Sequence, residues 1–389
     1  LKILHVVPTY VPAWKHGGPI RSVHGLCKAL ALRGHAVTVF TTDVDTAGAV
    51  PTGRPVPLDG VEVWYFPLGS PRRLYRSPAM RRELARRMSG FDLVHIHSVF
   101  LWPTAAAARQ AERAGVPYLL APRGMLVQDL FRRRGRLRKA LWLRFVERRT
   151  LARAAGIHAT SDLEAADLAW LGALPPVHIV PNGVDPEIDP TGPDEAALSA
   201  PVRAALARAP FFLFLGRLSW KKGLDRLIPA LAHAPGAVLA VAGNDDEGYR
   251  PELERLAREA GVADRILFLG AVGGVDKAAL LHRAAALVLP SYSENFGNSV
   301  LEALAVGRPA VVTPEVGLAA VLRETGSGRV VAGDPESLGG ALRDLLADPA
   351  AADVMGRRGA ETARERFGWA TVAAAMESVY QRVLAGGRA

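Results

Sequence analysis

With 389 residues, 49% hydrophobic and 22% charged, the chain is sized for two or three globular domains and is too apolar to be disordered. Its one cysteine, Cys27, excludes a disulfide framework and any multi-cysteine metal cluster, and no 18 consecutive apolar residues occur to cross a membrane. The net charge of +10 is lopsided: residues 1–182 carry 26 basic and 12 acidic side chains and residues 183–389 carry 22 and 26, so an anionic partner is expected for the first half only.

The opening LKILHVVPTY lacks a charged n-region, a long apolar core and a small-residue cleavage site, so it reads as a buried strand and a cytoplasmic protein is expected. A Gly-rich loop, HGGP, follows. Next comes a helix with Ile20, Val23, Cys27 and Leu30 on one face, Pro19 in its first turn and Gly34 past its end. AVTVFTT, VEVWYF, DLVHIHS, PYLLAP and GIHATS are strand candidates, with helical stretches at 104–114 and 161–171. After VHIVPNGVD the segment DPEIDPTGPDE reads as a linker.

A second series then begins. FFLFLG, AVLAVAG, RILFLG, ALVLPS and PAVVTP are strand candidates separated by helical segments at 222–233, 250–260, 275–285 and 297–306. The last 40 or so residues read as helices only. Continuous apolar strands alternating with helices imply parallel sheets covered on both faces, and two such series imply two Rossmann-like domains. In such sheets ligands bind outside the carboxyl ends of the strands, so the loops after strands are the ones to read.

The strongest of these is PSYSENFGNSVLEALAVGRPAVVTP, residues 290–314. Glu294 lies in the loop after a strand and Glu302 lies eight positions on, in the following helix. Between them Asn295, Phe296, Gly297 and Asn298 form a turn at the helix start, whose amides favour a diphosphate. The two carboxylates repel phosphate and suit the vicinal hydroxyls of a sugar. Next is LGRLSWKKGLD, residues 215–225, which sets Arg217 and Lys222 in the loop after FFLFLG. A guanidinium fork and a point charge there suit a diphosphate and stabilise it as a leaving group.

The pairing of GRLxxxKG with a Glu-x7-Glu string resembles the retaining GT-B glycosyltransferases of group one, or family four. The resemblance spans nearly the whole chain through HGGP, RGHAVTVFTT, DLVHIHS, APRGML, HATSDLEAADL, IVPNGVD and RILFLGAV. It implies an α/β GT-B fold, two Rossmann-like domains facing a central cleft. The expected domains are 1–182 for the acceptor and 183–370 for the nucleotide sugar, with a helix at about 371–385 crossing back to the first.

By the same resemblance Glu302 binds the nucleotide ribose, Glu294 the donor sugar, and Arg217 and Lys222 the diphosphate. Gly17 and Gly18 form the turn that lets backbone approach the donor phosphates. Asn295, Phe296, Gly297 and Asn298 touch sugar and phosphate, and Val272 borders the base. A sugar passes with retention from a UDP- or GDP-linked donor to a lipid-linked or saccharide acceptor, in cell-surface polysaccharide or glycolipid synthesis. No bound metal or further cofactor is implied, since Arg217, Lys222 and the helix amides take the metal's electrostatic role.

Relatives often carry a histidine where APRGML sets Arg123, which cannot be a general base near neutral pH and suits a phosphate or an acceptor hydroxyl. His97, in HIHS, is the nearest other imidazole, and a histidine satisfied at a strand end is an equal reading. His16 is a weaker candidate. The rival functions are a nucleotide-sugar epimerase or phosphorylase on the same fold, and a non-catalytic nucleotide-binding assembly protein.

The basic excess concentrates in residues 72–153, with 20 basic and 5 acidic side chains. It runs through RRLYR (72–76), RRELARRM (81–88) and FRRRGRLRKALWLRFVERR (131–149). Met80, Leu84 and Met88 share a helical face, with Arg82 and Arg86 turned away. Trp142 and Phe145 lie among cations on a smeared apolar arc. An anionic membrane surface, contacted peripherally, or a diphosphate-linked lipid acceptor is the expected partner. Nucleic acid is the second reading, and no recognised nucleic-acid-binding motif supports it.

Overall fold

The computed structural model describes residues 1–14, 17–46, 48, 50–128, 140–185 and 197–386. The chain divides into two compact units, Leu1–Gly183 with Trp369–Ala389, and Val184–Gly368.

The first unit is built on an eight-stranded sheet: β1 (Lys2–Val6), β2 (Ala36–Thr42), β3 (Pro55–Leu58), β4 (Val61–Phe66), β5 (Leu93–His97), β6 (Tyr118–Ala121), β7 (Gly156–Ala159) and β8 (Val177–Ile179). Their order is β3-β4-β2-β1-β5-β6-β7-β8, and every neighbouring pair is parallel except β3 with β4. The fully parallel sheet expected from sequence is thus corrected at its edge. β3 is PVPL, whose alternate exposure and two prolines suit an edge strand and give no apolar run to detect.

Alternation divides the central strands between two cores. Leu4, Val6, Val94, Ile96, Leu120 and Ile157 face one way, against the Pro78–Arg87 and Trp102–Ala114 helices. Ile3, Val7, Leu93 and Leu119 face the other, where Val23, Cys27 and Leu30 of the Gly18–Leu32 helix meet Val372, Met376 and Tyr380 of Trp369–Gly386. The closing helix therefore packs on the first unit. Its entry residue Trp369 is seated on two glycines: a Cβ at Gly25 would lie 2.1 Å from the indole and one at Gly183 2.4 Å. The helix read at 161–171 is broken, ending at Ala166 with a single tight turn at Ala169–Leu171.

The second unit holds six strands, β9 (Phe212–Leu215), β10 (Leu239–Ala242), β11 (Ile266–Gly270), β12 (Ala286–Leu289), β13 (Ala310–Val312) and β14 (Gly328–Val330). They pair in the order β11-β10-β9-β12-β13-β14, all parallel. Phe212, Leu213, Phe214, Leu239, Val241, Leu287 and Val288 are buried, which is why these strands read as unbroken apolar runs. In both sheets the first strand lies centrally and the order reverses beside it, between β1 and β5 and between β9 and β12. Those reversals are the topological switch points, where an open α/β sheet receives its ligand.

Candidate active site

At the switch point of the second unit, the loops after β9 and β12 are locked together. Gly223 adopts φ +71° and passes so close to the end of β12 that a Cβ would sit 1.9 Å from the Pro290 carbonyl oxygen. Tyr292 N–H donates to the Lys221 carbonyl at 2.7 Å, and the Tyr292 hydroxyl to Asp225 at 2.8 Å. This contact brings Lys222 onto Glu294, and the two form an ion pair with side chains 22% and 17% exposed. The backbone of Glu294 is held on both sides, its N–H donating to Glu315 and its carbonyl accepting from Gly317. Arg217 is exposed and makes no side-chain hydrogen bond or ion pair among the described residues.

Gly297, at φ +104°, turns the chain into the Asn298–Ala305 helix and, as its N-cap, brings no side chain to cap it. That leaves the helix start chemically open to an anion. The Phe296 side chain points into the core and meets Phe367 edge-on at 6.2 Å, so only its backbone is available to a ligand. Glu302 pairs at 2.5 Å with Lys277 of the Gly274–Arg283 helix, a partner that sequence reasoning missed. Beside these loops a pocket of about 340 Å³ opens at the ends of β9, β10 and β11. Its lining includes Leu218, Asn244, Asp245, Arg250, Phe268 and Ala271, next to partly buried Val272.

The first unit's switch point is of another kind. Gly17 (φ +87°) caps the Gly18–Leu32 helix after β1, with open space where a Cβ would be. Neighbouring His16 lies outside the described residues. Behind that loop His5 of β1, His95 and His97 of β5 and His158 of β7 are all buried on the same face of the sheet. Arg123 follows β6 at φ +56° and is partly buried. Its Nη2 lies 3.1 Å from His97 Nδ1, and its Nη1 donates to Asn182 Oδ1 at 2.9 Å.

The partners fix every ring proton. Arg123 only donates, so His97 Nδ1 accepts, His97 Nε2 donates to His5 Nδ1 at 3.0 Å, and the proton on His5 Nε2 is left without a partner among the described residues. In the second chain His158 Nε2 donates to the Val180 carbonyl at 2.8 Å, so His158 Nδ1 accepts from His95 Nε2 and His95 Nδ1 accepts from the Tyr380 hydroxyl. Burial, reinforced by the charge of Arg123, pushes the pKa values of His5 and His158 down to about 3. Those of His95 and His97 also fall well below the usual imidazole range, burial being the main cause. All four rings are neutral.

Nitrogens of His5, His95 and His97 lie within 4.8 Å of one another, as in a metal site. All but His5 Nε2 are already hydrogen-bonded, and the Arg123 cation abuts the group, so the donor set fits a metal poorly. The Arg123 loop is fixed from below by buried Glu164, which accepts from Gly124 N–H at 2.6 Å and from the Thr160 N–H and hydroxyl, each at 2.7 Å. The loop after β5 has a similar support: buried Glu147 accepts from Phe100 N–H at 2.7 Å and Trp142 Nε1 at 2.8 Å, and burial raises its pKa.

Comparison with known proteins decides the family. Residues 202–362 match Glycosyl transferases group 1, and residues 17–183 match Glycosyl transferase 4-like domain. A D-inositol 3-phosphate glycosyltransferase of Xylanimonas cellulosilytica is 33% identical over 94% of this chain and 91% of its own length. The chain belongs to the group 1 glycosyltransferases.

Solved GT-B structures agree in fold. Sucrose-phosphate synthase from Thermosynechococcus elongatus superposes with TM-score 0.77 at 23% identity, over 99% of this chain and all of its own. Anabaena HepE, in complex with UDP-glucose, gives 0.74 at 19%, over 98% and 99%. Within this glycosyltransferase the switch point of the second unit brings together Lys222 and Glu294, while Glu302 stands on the following helix paired with Lys277. His97 and Arg123 meet in the first unit. Asn182 and Glu164, which hold the Arg123 loop, stand in the strings PNGVD and HATSDLEAADL, whose hydrogen-bonding residues were the available signal.

Proposed function

We propose that this glycosyltransferase moves a hexose from a nucleoside-diphosphate donor, UDP- or GDP-linked, to an acceptor with retention of configuration and without a bound metal. The observation that carries the reading is the Lys222–Glu294 pair at the switch point of the second unit. It offers a cation for the diphosphate and a carboxylate for sugar hydroxyls a few ångströms apart. Arg217 supplies a second cation, without an ion pair among the described residues, and the Asn298–Ala305 helix a start at Gly297 that no N-cap side chain covers. Glu302 suits the ribose diol, and the pocket beside Val272 suits the base. HepE, a fold relative, was crystallised with UDP-glucose, which supports a UDP-linked donor.

In this reading the departing diphosphate takes the acceptor's proton, so no strong enzymic base is required. The acceptor is held by the first unit. The name of the Xylanimonas relative favours a phosphorylated cyclitol over the lipid-linked or saccharide acceptor expected from sequence, and a polysaccharide role is correspondingly weaker. Exposed Leu141 and Phe145, among Arg144, Arg148 and Arg149, support peripheral contact with an anionic cytoplasmic membrane face. The described arginines of the longest basic run begin at Arg144. Arg132, Arg133, Arg134, Arg136 and Arg138 lie outside the described residues.

The test is a thermal-shift panel of UDP, GDP, ADP and their sugars, followed by transfer to D-inositol 3-phosphate with the product's anomeric coupling read by NMR. Release of nucleoside diphosphate with an α-linked product from an α-linked donor is expected. Binding without turnover would favour an assembly protein, and sugar isomerisation without acceptor an epimerase.

A further inference from the structure

We propose that Arg123 is the anchor for a phosphate monoester on the acceptor, and that His97 is the residue that positions it. The proposal deepens the transferase reading, on which its assignment to the acceptor rests. A guanidinium has five N–H groups. In Arg123 the Nε and one Nη2 hydrogen face His97 Nδ1, at 3.4 and 3.1 Å, and one Nη1 hydrogen goes to Asn182. One N–H on each terminal nitrogen stays without a partner among the described residues, two donors of the kind that grip phosphate.

The charge around this group is unbalanced. No carboxylate among the described residues forms an ion pair with Arg123. The carboxylate whose charge acts on it, Glu164, already accepts three hydrogen bonds from Gly124 and Thr160. The four histidines beside it are neutral, and the one other side chain that hydrogen-bonds it among the described residues is the uncharged amide of Asn182. A partly buried cation held on neutral acceptors, with its backbone pinned in the left-handed region, is a site prepared for an anion from outside. The donor's diphosphate has its own cations, Arg217 and Lys222, on the other unit. The first unit's anion is therefore assigned to the acceptor.

His97 is set up to orient and not to take a proton. Its Nδ1 is covered by the guanidinium and its Nε2 hydrogen is given to His5. An imidazole in that state fixes the plane of Arg123 as an acceptor, and His5 behind it fixes which nitrogen accepts.

Titration calorimetry without donor tests this, using D-inositol 3-phosphate and inorganic phosphate as probes, with myo-inositol and UDP as comparators. Arg123→Gln should weaken both phosphates about ten- to a hundredfold while moving UDP less than twofold, and Arg123→Lys should fall between. His97→Leu should lose several-fold in phosphate affinity. His97→Asn, whose Oδ1 can accept where Nδ1 did, should recover most of it and retain turnover. Urea midpoints near wild type certify each variant as folded. Wild-type phosphate affinity in folded Arg123→Gln, no phosphate binding by the wild type, or loss of UDP in place of phosphate would each overturn the anchor. A His97→Asn protein that binds phosphate normally but loses two or more orders of magnitude in turnover would make His97 a base and overturn its positioning role. No donor enters the binding readout, so a failed transfer experiment leaves these results separately readable.

Discussion

Acidification should destabilise the first unit steeply, because its core holds four histidines that stay neutral when folded. In the unfolded chain an imidazole titrates near 6.5. In the folded chain His5 and His158 titrate at about 3, lowered by burial and then by the Arg123 charge. Between those values the unfolded state binds more protons than the folded one, so stability rises with pH from about 3 to 6.5 and levels off above 7. Taking pH from 7.5 to 5.5 should cost roughly 1.4 kcal/mol for each of these two residues, or about 3 kcal/mol together, with His95 and His97 adding in the same direction.

That is a sizeable share of a domain's stability, which is typically about 5–15 kcal/mol. Urea unfolding followed by tryptophan fluorescence reads it, since six of the seven tryptophans belong to the first unit. A His5→Leu variant removes one titrating site while orphaning the His97 Nε2 hydrogen, so it should be weaker at pH 7.5 yet show a shallower slope by about 1.4 kcal/mol. A first-unit stability constant to within 1 kcal/mol across this pH range, or an unchanged slope in His5→Leu, would refute the assignment of neutral, protected rings.

Lys222→Ala and Glu302→Ala should weaken donor binding by one to two factors of ten, whereas Glu294→Gln should mainly lower turnover. The comparison of nucleotide affinity with kcat checks the split. Activity should persist in EDTA, and abolition with rescue by a divalent ion would mean that the diphosphate is held by something other than Arg217 and Lys222. Gly25→Ala should lower the melting temperature, because its methyl would overlap Trp369 and overpacking typically costs about 1–3 kcal/mol; an unchanged or raised value would contradict the seating of that indole. Binding to phosphatidylglycerol liposomes should require anionic lipid and fade in 1 M salt, and equal sedimentation with neutral liposomes would remove the membrane reading.

The central strands were legible because both faces of each sheet are covered, so FFLFLG or ALVLPS contains no polar alternation to obscure it. The edges were not. β3 carries two prolines and β14 is only Gly328–Val330, so neither buries enough to leave a pattern. The charged residues of the second unit's loops were legible because Arg217, Lys222, Glu294 and Glu302 lie in two short strings. Lys277 was not, since it meets Glu302, 25 positions away, only when their two helices pack together. The histidine array hid for a similar reason. His95 and His97 share a face by their spacing of two, but His5 and His158 join them only through the order β1-β5-β6-β7. Arg123 looked like the loss of a base because its acceptors, His97 and Asn182, lie 26 and 59 residues away.

The two switch points handle charge in opposite ways, and that difference carries functional content. In the second unit each carboxylate of the Glu-x7-Glu string has its own lysine, so Lys222–Glu294 and Lys277–Glu302 are neutral pairs when no ligand is present. A donor that brings phosphate to one member of a pair and hydroxyls to the other can replace the pair's internal contact without leaving either charge bare. Arg217, which makes no ion pair among the described residues, is the surplus cation that on the proposed reading would favour the negative diphosphate. In the first unit Arg123 hydrogen-bonds only neutral acceptors among the described residues and forms no ion pair there, so on the proposed reading a ligand supplies the anion that pairs with it. A neutral sugar acceptor would bury that cation further and leave two N–H groups without partners. A phosphorylated acceptor satisfies both at once, so the first unit should discriminate by the acceptor's charge more strongly than by its hydroxyl pattern.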